Sequence, residues 1–373
     1  MSKLEQIIQE LCPDGVEYKP IKEVYMRLKG TPITAGKMKE ISDPNGAIKI
    51  FAGGKTVITA NEPDIPNANI TRVPAVLVQS RGVIDFVYYE EPFTFKNEMW
   101  AYSHHERISV KFLYYVLKNN AEHFRDAASG MGSLPQISLP VTEDFTIPVP
   151  PLEVQSEIVR ILDNFTELTA ELTAELTARK LQYEYYRQHL LSKEDVNWLP
   201  LSKIADVFRG NYITQKSSTP GDIPVVLGGQ EPAYYIDKAN HTGEVVAVAR
   251  SGASAGFVSY WNEPIYITDG FGFEAKEDVA LPKYLFYVLK MKEKALNSMK
   301  RGAGVPHVSG ETLRNVELPI PSLEEQRMIV DTLDNFDNLC TSLSSGLPAE
   351  IGARQKQYEY YRDKLLTFKR KEA

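Results

Sequence analysis

The sequence is poor in the residues that build metal centres, disulfide frameworks and membrane spans. Of 373 residues only two are cysteine, Cys12 and Cys340. They lie far apart and lack metal-ligand spacing, which argues against a cysteine-rich metal site and against a disulfide-stapled secreted fold. No apolar run reaches the ~18 residues of a membrane-spanning helix. The first residues, MSKLEQIIQELCPDG, are amphipathic and interrupted by Gln and Glu, unlike a signal peptide. A reduced, cytoplasmic protein is the expectation.

Catalytic signatures are equally scarce. A phosphate-binding Walker loop needs a glycine five residues before Gly54 of GGKT, and Lys49 stands there. In PDGVEYK, Asp14 and Glu17 are too close for a nuclease pair, and PDG is a common turn. His104, His105 and Glu106 have no ligand companions at useful spacing, DGFG at 269–272 is too short to argue for a cofactor loop, and no Asn/Asp-Pro-Pro-aromatic methylase tetrapeptide occurs. Nothing in this set describes an enzyme.

What is present is a globular composition, 43% hydrophobic and 24% charged, in a chain long enough for two or more cores. The net charge of −7 speaks against indiscriminate nucleic-acid binding. Part of that acidity is concentrated in residues 151–195, which hold nine acidic and five basic side chains, so basic groups elsewhere remain able to cluster.

The strongest pattern is internal repetition. IPVPPLEVQSEIVRILDNF at 147–165 aligns without a gap to LPIPSLEEQRMIVDTLDNF at 318–336. QYEYYRQHLL at 182–191 matches QYEYYRDKLL at 357–366, and KFLYYVLK at 111–118 matches KYLFYVLK at 283–290. Pro20 and Gly30 match Pro200 and Gly210. The chain is a duplication in which the segments after Pro150 and Pro321 are close copies, while those before them share only a skeleton. Similar segments meeting identical partners, and divergent ones meeting two different ligands, would explain this; drift of surface loops is the competing explanation.

The similar segments read as long helices. Residues 153–192 contain no Gly or Pro, and Ile158, Ile161, Leu162, Phe165, Leu168, Leu172, Leu176 and Leu181 form a stripe. In the second copy Ser322 and Glu325 form a capping-box pattern, and Gly346 and Pro348 should break the helix before it resumes near Glu350. Two such helices are expected to pack as an antiparallel coiled coil. The expected organisation is an α/β domain over 1–150, a central helix over 151–195, a second α/β domain over 196–320 and a C-terminal helix over 321–373, with pseudo-twofold arrangement.

The divergent segments read as α/β domains, with strands at 75–80, 85–89, 244–250 and 264–268 and helices at 109–126 and 281–299. Their glycine-rich loops, with interspersed Lys, Arg and Gln, suit phosphates and base edges, although each alone can be a plain turn. Candidate contacts are Lys55, Arg81, Ser133 and Gln136 in the first domain, and Arg209, Lys216, Arg250, Lys300, Arg301 and His307 in the second. Lys216, Lys300 and Arg301 suit phosphates. Gln136 and His307, at equivalent places after Pro135 and Pro306, suit base edges.

CPDGVEYKP, the PxPPLExQxxI and PxPSLEEQ helix starts, the QYEYYRxxLL endings and the tandem TAEL tetrapeptides at 169–176 together resemble the specificity subunits of type I restriction-modification enzymes. The resemblance covers the whole chain in the order variable domain, helix, variable domain, helix, and the TAEL repeats point to one subgroup. It implies that the two domains are target recognition domains and the two helices spacers, in a non-catalytic subunit that binds double-stranded DNA at a bipartite, asymmetric target. Its helices would dock two modification (methyltransferase) subunits, joined by two restriction (translocase and nuclease) subunits. S-adenosylmethionine, ATP and magnesium would be bound by those partners, with no cofactor in this chain and no membrane association. Only scaffold residues match within the variable domains, so base contacts do not carry over. A coiled-coil scaffold or adaptor without DNA readout is the alternative.

Overall fold

The computed structural model describes residues 3–128, 134–192, 195–227, 231–301, 307–342 and 344–372. The chain divides into two compact units, Met1–Glu171 with Ile351–Ala373, and Leu172–Glu350.

In the first unit, Met26–Leu28, Trp100–Ser103, Ala75–Gln79 and Asp85–Tyr89 form a four-stranded antiparallel sheet in that order. Ala75–Gln79 is buried at every position. Its continuous apolar run therefore reads as a central strand covered on both faces rather than an alternating one. A three-stranded sheet sets Ile48–Phe51 between Val57–Ala60 (antiparallel) and Phe93–Phe95 (parallel). A two-stranded ribbon pairs Glu17–Pro20 with Thr146–Val149, Tyr18 opposite Pro148.

The second unit repeats each sheet in order and sense. Ala205–Arg209, Gly270–Ala275, Val245–Ala249 and Val258–Trp261 form the four-stranded sheet. Ile223–Val226 lies between Tyr235–Ile236 and Tyr266–Ile267. Asn197–Pro200 pairs with Glu317–Ile320, Trp198 opposite Pro319. Of the strand expected at 264–268, Tyr266–Ile267 joins the sheet and Ile265 makes an isolated antiparallel bridge to His241.

The helix expected at 109–126 is two helices, Arg107–Asn119 and Ala121–Asp126. Asn120 ends one and starts the next at φ −101° and ψ 18°. Its side-chain amide donates to the Val116 carbonyl at 2.8 Å, beside the backbone N–H at 3.2 Å. The second unit breaks at Lys292, between Pro282–Met291 and Glu293–Ser298.

The central helix, Leu152–Leu191, is unbroken over 40 residues, about 60 Å at the helical rise. The C-terminal segment is Leu323–Thr341 and Leu347–Leu365, starting with Ser322 accepting from the Glu325 amide at 3.3 Å. It resumes three residues earlier than expected because Pro348 falls in the first turn, where a missing N–H is harmless.

Each helix start packs on the helix end of the other copy. In the first unit Phe165 meets Tyr358 and Tyr361 at ring-centroid distances of 6.4 and 5.7 Å. In the second, Phe336 meets Tyr183 and Tyr186 at 6.2 and 5.5 Å. Cys340, one turn beyond Phe336, lies near Lys180, before Tyr183, so these two stretches run antiparallel. Leu181 does not belong to the stripe. It is 69% exposed, because five residues after Leu176 is about 140° away from that face, whereas Tyr183 returns to it.

Candidate nucleic-acid interface

The glycine-rich loops converge within each unit through short backbone bridges. In the first unit Arg81 pairs with Gln136. The Gly82 amide donates to the Pro135 carbonyl at 2.8 Å, and Ile137 donates to Ser80 at 2.9 Å. The Gly54 amide donates to the Arg81 carbonyl at 3.1 Å, which brings Lys55 to the same place. Lys55, Arg81 and Gln136 are all exposed. Ser133 lies outside the described residues.

The second unit uses the same frame with different side chains. Ser251 pairs with His307, and Val308 donates to the Arg250 carbonyl at 2.9 Å. Arg301 and His307 exchange two backbone hydrogen bonds, each 2.9 Å. Ser80 and Arg250 thus occupy one framework position, Arg81 and Ser251 the next, Gln136 and His307 the third. Gly82 (φ 81°) and Gly252 (φ 77°) make the same left-handed turn beside them, a conformation that costs glycine little.

Arg209 ends the strand Ala205–Arg209 opposite Phe271. After it Gly210 donates to the Gly270 carbonyl at 2.9 Å, and Arg250 donates to the Asp269 carbonyl at 3.0 Å, so Arg209, Arg250 and His307 share one neighbourhood. A Cβ on Gly210 would lie 2.5 Å from the Ile267 carbonyl oxygen, and one on its repeat partner Gly30 would lie 2.1 Å from that of Phe95. Both glycines are demanded by backbone contact. Lys216 sits exposed on the short turn Gln215–Ser217, and no hydrogen bond or ion pair among the described residues joins it to Arg250 or His307. Lys300 follows the helix Glu293–Ser298, its amide reaching the Asn297 carbonyl at 3.4 Å.

Electrostatics separates the candidates. Arg250 is half-buried and pairs with Asp269 at 3.2 Å, and Ser251 donates to the same carboxylate. Its charge is therefore used within the domain. Lys55, Arg81, Arg209, Lys216, Lys300 and Arg301 have no acidic partner at ion-pair distance among the described residues.

Two features escaped the sequence reading. One is Asp269, dismissed with DGFG; it is the repeat counterpart of Glu98, which pairs with Lys96 at 2.8 Å, and that alignment was the available signal. The other is a cavity of about 750 Å³ in the first unit, lined by Gly53, Gly54, Arg81, Gly82, Val83 and Leu134 among others. Val83 and Leu134 are 44% and 49% exposed, an apolar rim beside the cationic loops. Only the fold brings these loops together. Among the described residues no group of three His, Cys, Asp or Glu side chains is arranged to hold a metal ion, and no helix is long and apolar enough to cross a membrane.

Fold and loops define a duplicated α/β protein whose two domains alternate with long helices. A family model for the type I restriction modification DNA specificity domain matches twice, over residues 13–179 and 193–353. The EcoR124I/EcoR124II type I restriction enzyme specificity subunit of Escherichia coli is 30% identical over 409 residues, covering 100% of this chain and 98% of that one. A crystal structure of the type I restriction-modification S subunit from M. genitalium superimposes with a TM-score of 0.64 at 18% identity, covering 94% of this chain and 96% of that one. A second solved chain, from work on complex assembly and conformational transition of the type I system, has a TM-score of 0.58 at 17% identity, covering 95% and 98%. The chain belongs to the specificity subunits of type I restriction-modification systems, and is not a catalytic subunit.

Proposed function

We propose that each recognition domain reads one half of a split, asymmetric double-stranded DNA target, and that the paired helices set the spacing and dock two modification subunits. The observation that carries this reading is the loop frame. The bridge between residues 81 and 136 and that between 251 and 307 share one backbone geometry, while Arg81 and Gln136 are replaced by Ser251 and His307. One frame with two sets of polar side chains suits two different base sequences. Lys55, Arg209, Lys216, Lys300 and Arg301, which have no acidic partner among the described residues, would hold the backbone phosphates.

The near-identical helix starts and ends suit two copies of one methyltransferase. In this reading S-adenosylmethionine, ATP and magnesium belong to the modification subunits and to two restriction subunits. The complex works on cytoplasmic DNA, and the TAEL repeats at 169–176 support membership of the subgroup that carries them in its spacer.

Mapping methylated adenines across the host genome with and without this gene tests the proposal. A bipartite motif should vanish on deletion and return on complementation. A scaffold without DNA readout predicts an unchanged methylome and needs no neighbouring gene with an adenine-methylase tetrapeptide.

A further inference from the structure

We infer that Tyr212 is a specificity-determining contact of the second recognition domain, its ring lying against a base edge of the half-site that domain reads; this rests on the DNA-reading role proposed above.

Tyr212 is 80% exposed, more than any other large apolar side chain among the described residues. A ring so placed is commonly on a loose loop, but this loop is fixed on both sides. Gly210 donates to the Gly270 carbonyl at 2.9 Å and Asn211 to the Ile267 carbonyl at 3.1 Å. The Ile213 amide donates to the Thr268 hydroxyl at 3.1 Å, and the Tyr234 hydroxyl donates to the Ile213 carbonyl at 2.9 Å. Thr214 and Ser217 then close a reciprocal capping box. The backbone is held from residue 210 to 217 while the ring between projects outward, and an exposed ring gains nothing from burial in the free chain.

The surroundings select the ligand. Residues 209–216, RGNYITQK, contain no acid, and the ring stands between exposed Arg209 and Lys216. An apolar ring between two unpaired cations on a pinned loop fits a polyanion that also offers apolar base edges, such as thymine methyl groups.

The first domain has the same loop without the ring. Gly30 makes the close approach of Gly210, and Thr34 caps a helix where Thr214 caps its turn, but Pro32 stands at the place of Tyr212. The framework is common to both domains, and the ring belongs to the second alone.

The test uses the full chain assembled with its methyltransferase, and duplexes carrying the motif found by methylome mapping of the wild type. Tyr212→Ala should weaken binding of the cognate duplex about tenfold, the loss of one base contact. The loss should map to one base pair of the second half-site, so that a duplex already altered there binds wild type and variant alike. Tyr212→Phe, which keeps the ring, should stay within about twofold, and both variants should melt with the wild type. Unchanged affinity in Tyr212→Ala would overturn the inference. So would equal weakening on all sequences with a shallower salt slope, which marks a phosphate contact, or a loss in Tyr212→Phe as large as in Tyr212→Ala. If the wild-type complex showed no sequence preference, the DNA-reading role itself would fall, a result distinct from failure of Tyr212 alone.

Discussion

The Tyr115 hydroxyl donates to Asp163 Oδ1 at 2.5 Å, tying the helix of the first recognition domain to the start of the central helix. Lys111 reaches the other oxygen at 2.7 Å. The second unit repeats the arrangement in Tyr287, Lys283 and Asp334, with both contacts at 2.5 Å. Burial, reinforced by the facing carboxylate, raises both phenols far above their usual range, so each stays a donor at any physiological pH. A hydrogen bond to a charged acceptor contributes about 1.5–3 kcal/mol. Tyr115→Phe and Tyr287→Phe should therefore each destabilise the chain by roughly that amount, read as a shift in denaturant midpoint. Losses below about 0.5 kcal/mol in both variants would refute the latch.

Acid should act on Glu157 and Asp337 in opposite directions. Hydrogen bonds from Arg160 and then Lys3 hold the Glu157 carboxyl down to about 2. The unfolded group has a pKa near 4.3. Its contribution is thus complete above that value and is lost as pH falls toward 2. Asp337 is shifted the other way, lifted by burial and by the neighbouring Asp334, so its protonation favours the folded state as pH falls through the raised value. Glu157→Gln should lower stability at pH 7 by an amount that shrinks below pH ~4. Asp337→Asn should raise stability at pH 7, with a gain that also shrinks on acidification. Chemical denaturation from pH 7 to pH 3 separates them; parallel pH profiles for wild type and both variants would contradict the assignment.

The parts of this fold legible in sequence are those made by local rules or by repetition. The 40-residue helix follows from the lack of Gly and Pro, and the break before Leu347 from Gly346 and Pro348. The repeated register of Tyr18 on Pro148 and Trp198 on Pro319 follows from aligned blocks. The break at Asn120 recurs at its repeat counterpart Lys292, a different residue type, so the helix periodicity does not show it. Nor does any local signal reveal that Phe165 meets Tyr361, nearly two hundred residues away, or that Val16 exchanges backbone hydrogen bonds with Lys369 and Lys371, each at 2.9 Å. At the interface the cations were legible as types. Spacing did not reveal that Asp269 pairs with Arg250 in the second unit, whereas Arg81 in the first has no acidic partner at ion-pair distance among the described residues.

Arg301 and Gln136 should fail differently when removed. Arg301 is exposed, with no acidic partner among the described residues, and suits a phosphate. In the assembled methyltransferase Arg301→Ala should weaken all duplexes alike and reduce the salt slope by about one unit. Gln136, bridged to Arg81, suits a base edge, and Gln136→Ala should cost about 1–3 kcal/mol at one position of the first half-site. Titrations at several salt concentrations against cognate and single-substitution duplexes distinguish the two. An unchanged slope and affinity for Arg301→Ala would remove it from the interface.

If the central helix sets the target spacing, as proposed, the tetrapeptides at 169–176 are its ruler. They lie inside one unbroken helix, and the division between the two compact units falls within them, between Glu171 and Leu172. Leu168, Leu172 and Leu176 are all half-buried, one apolar contact every four residues. Inserting another TAEL after Leu176 keeps that spacing and adds good helix formers, so the helix should lengthen without interruption. Four residues add about 6 Å of rise, and one base pair spans about 3.4 Å, which brackets the change in target spacing between one and two base pairs. The insertion also turns the helix by about 40° beyond a full turn, close to the ~35° that one base pair turns DNA at 10–10.5 base pairs per turn. One added base pair is the expected outcome. The half-sites should stay as they are, because the insertion touches no recognition loop. Methylome mapping of the insertion variant reads spacing and half-sites together. An unaltered spacer would make the repeats an inert surface stretch, and altered half-sites would show that the helix does more than measure.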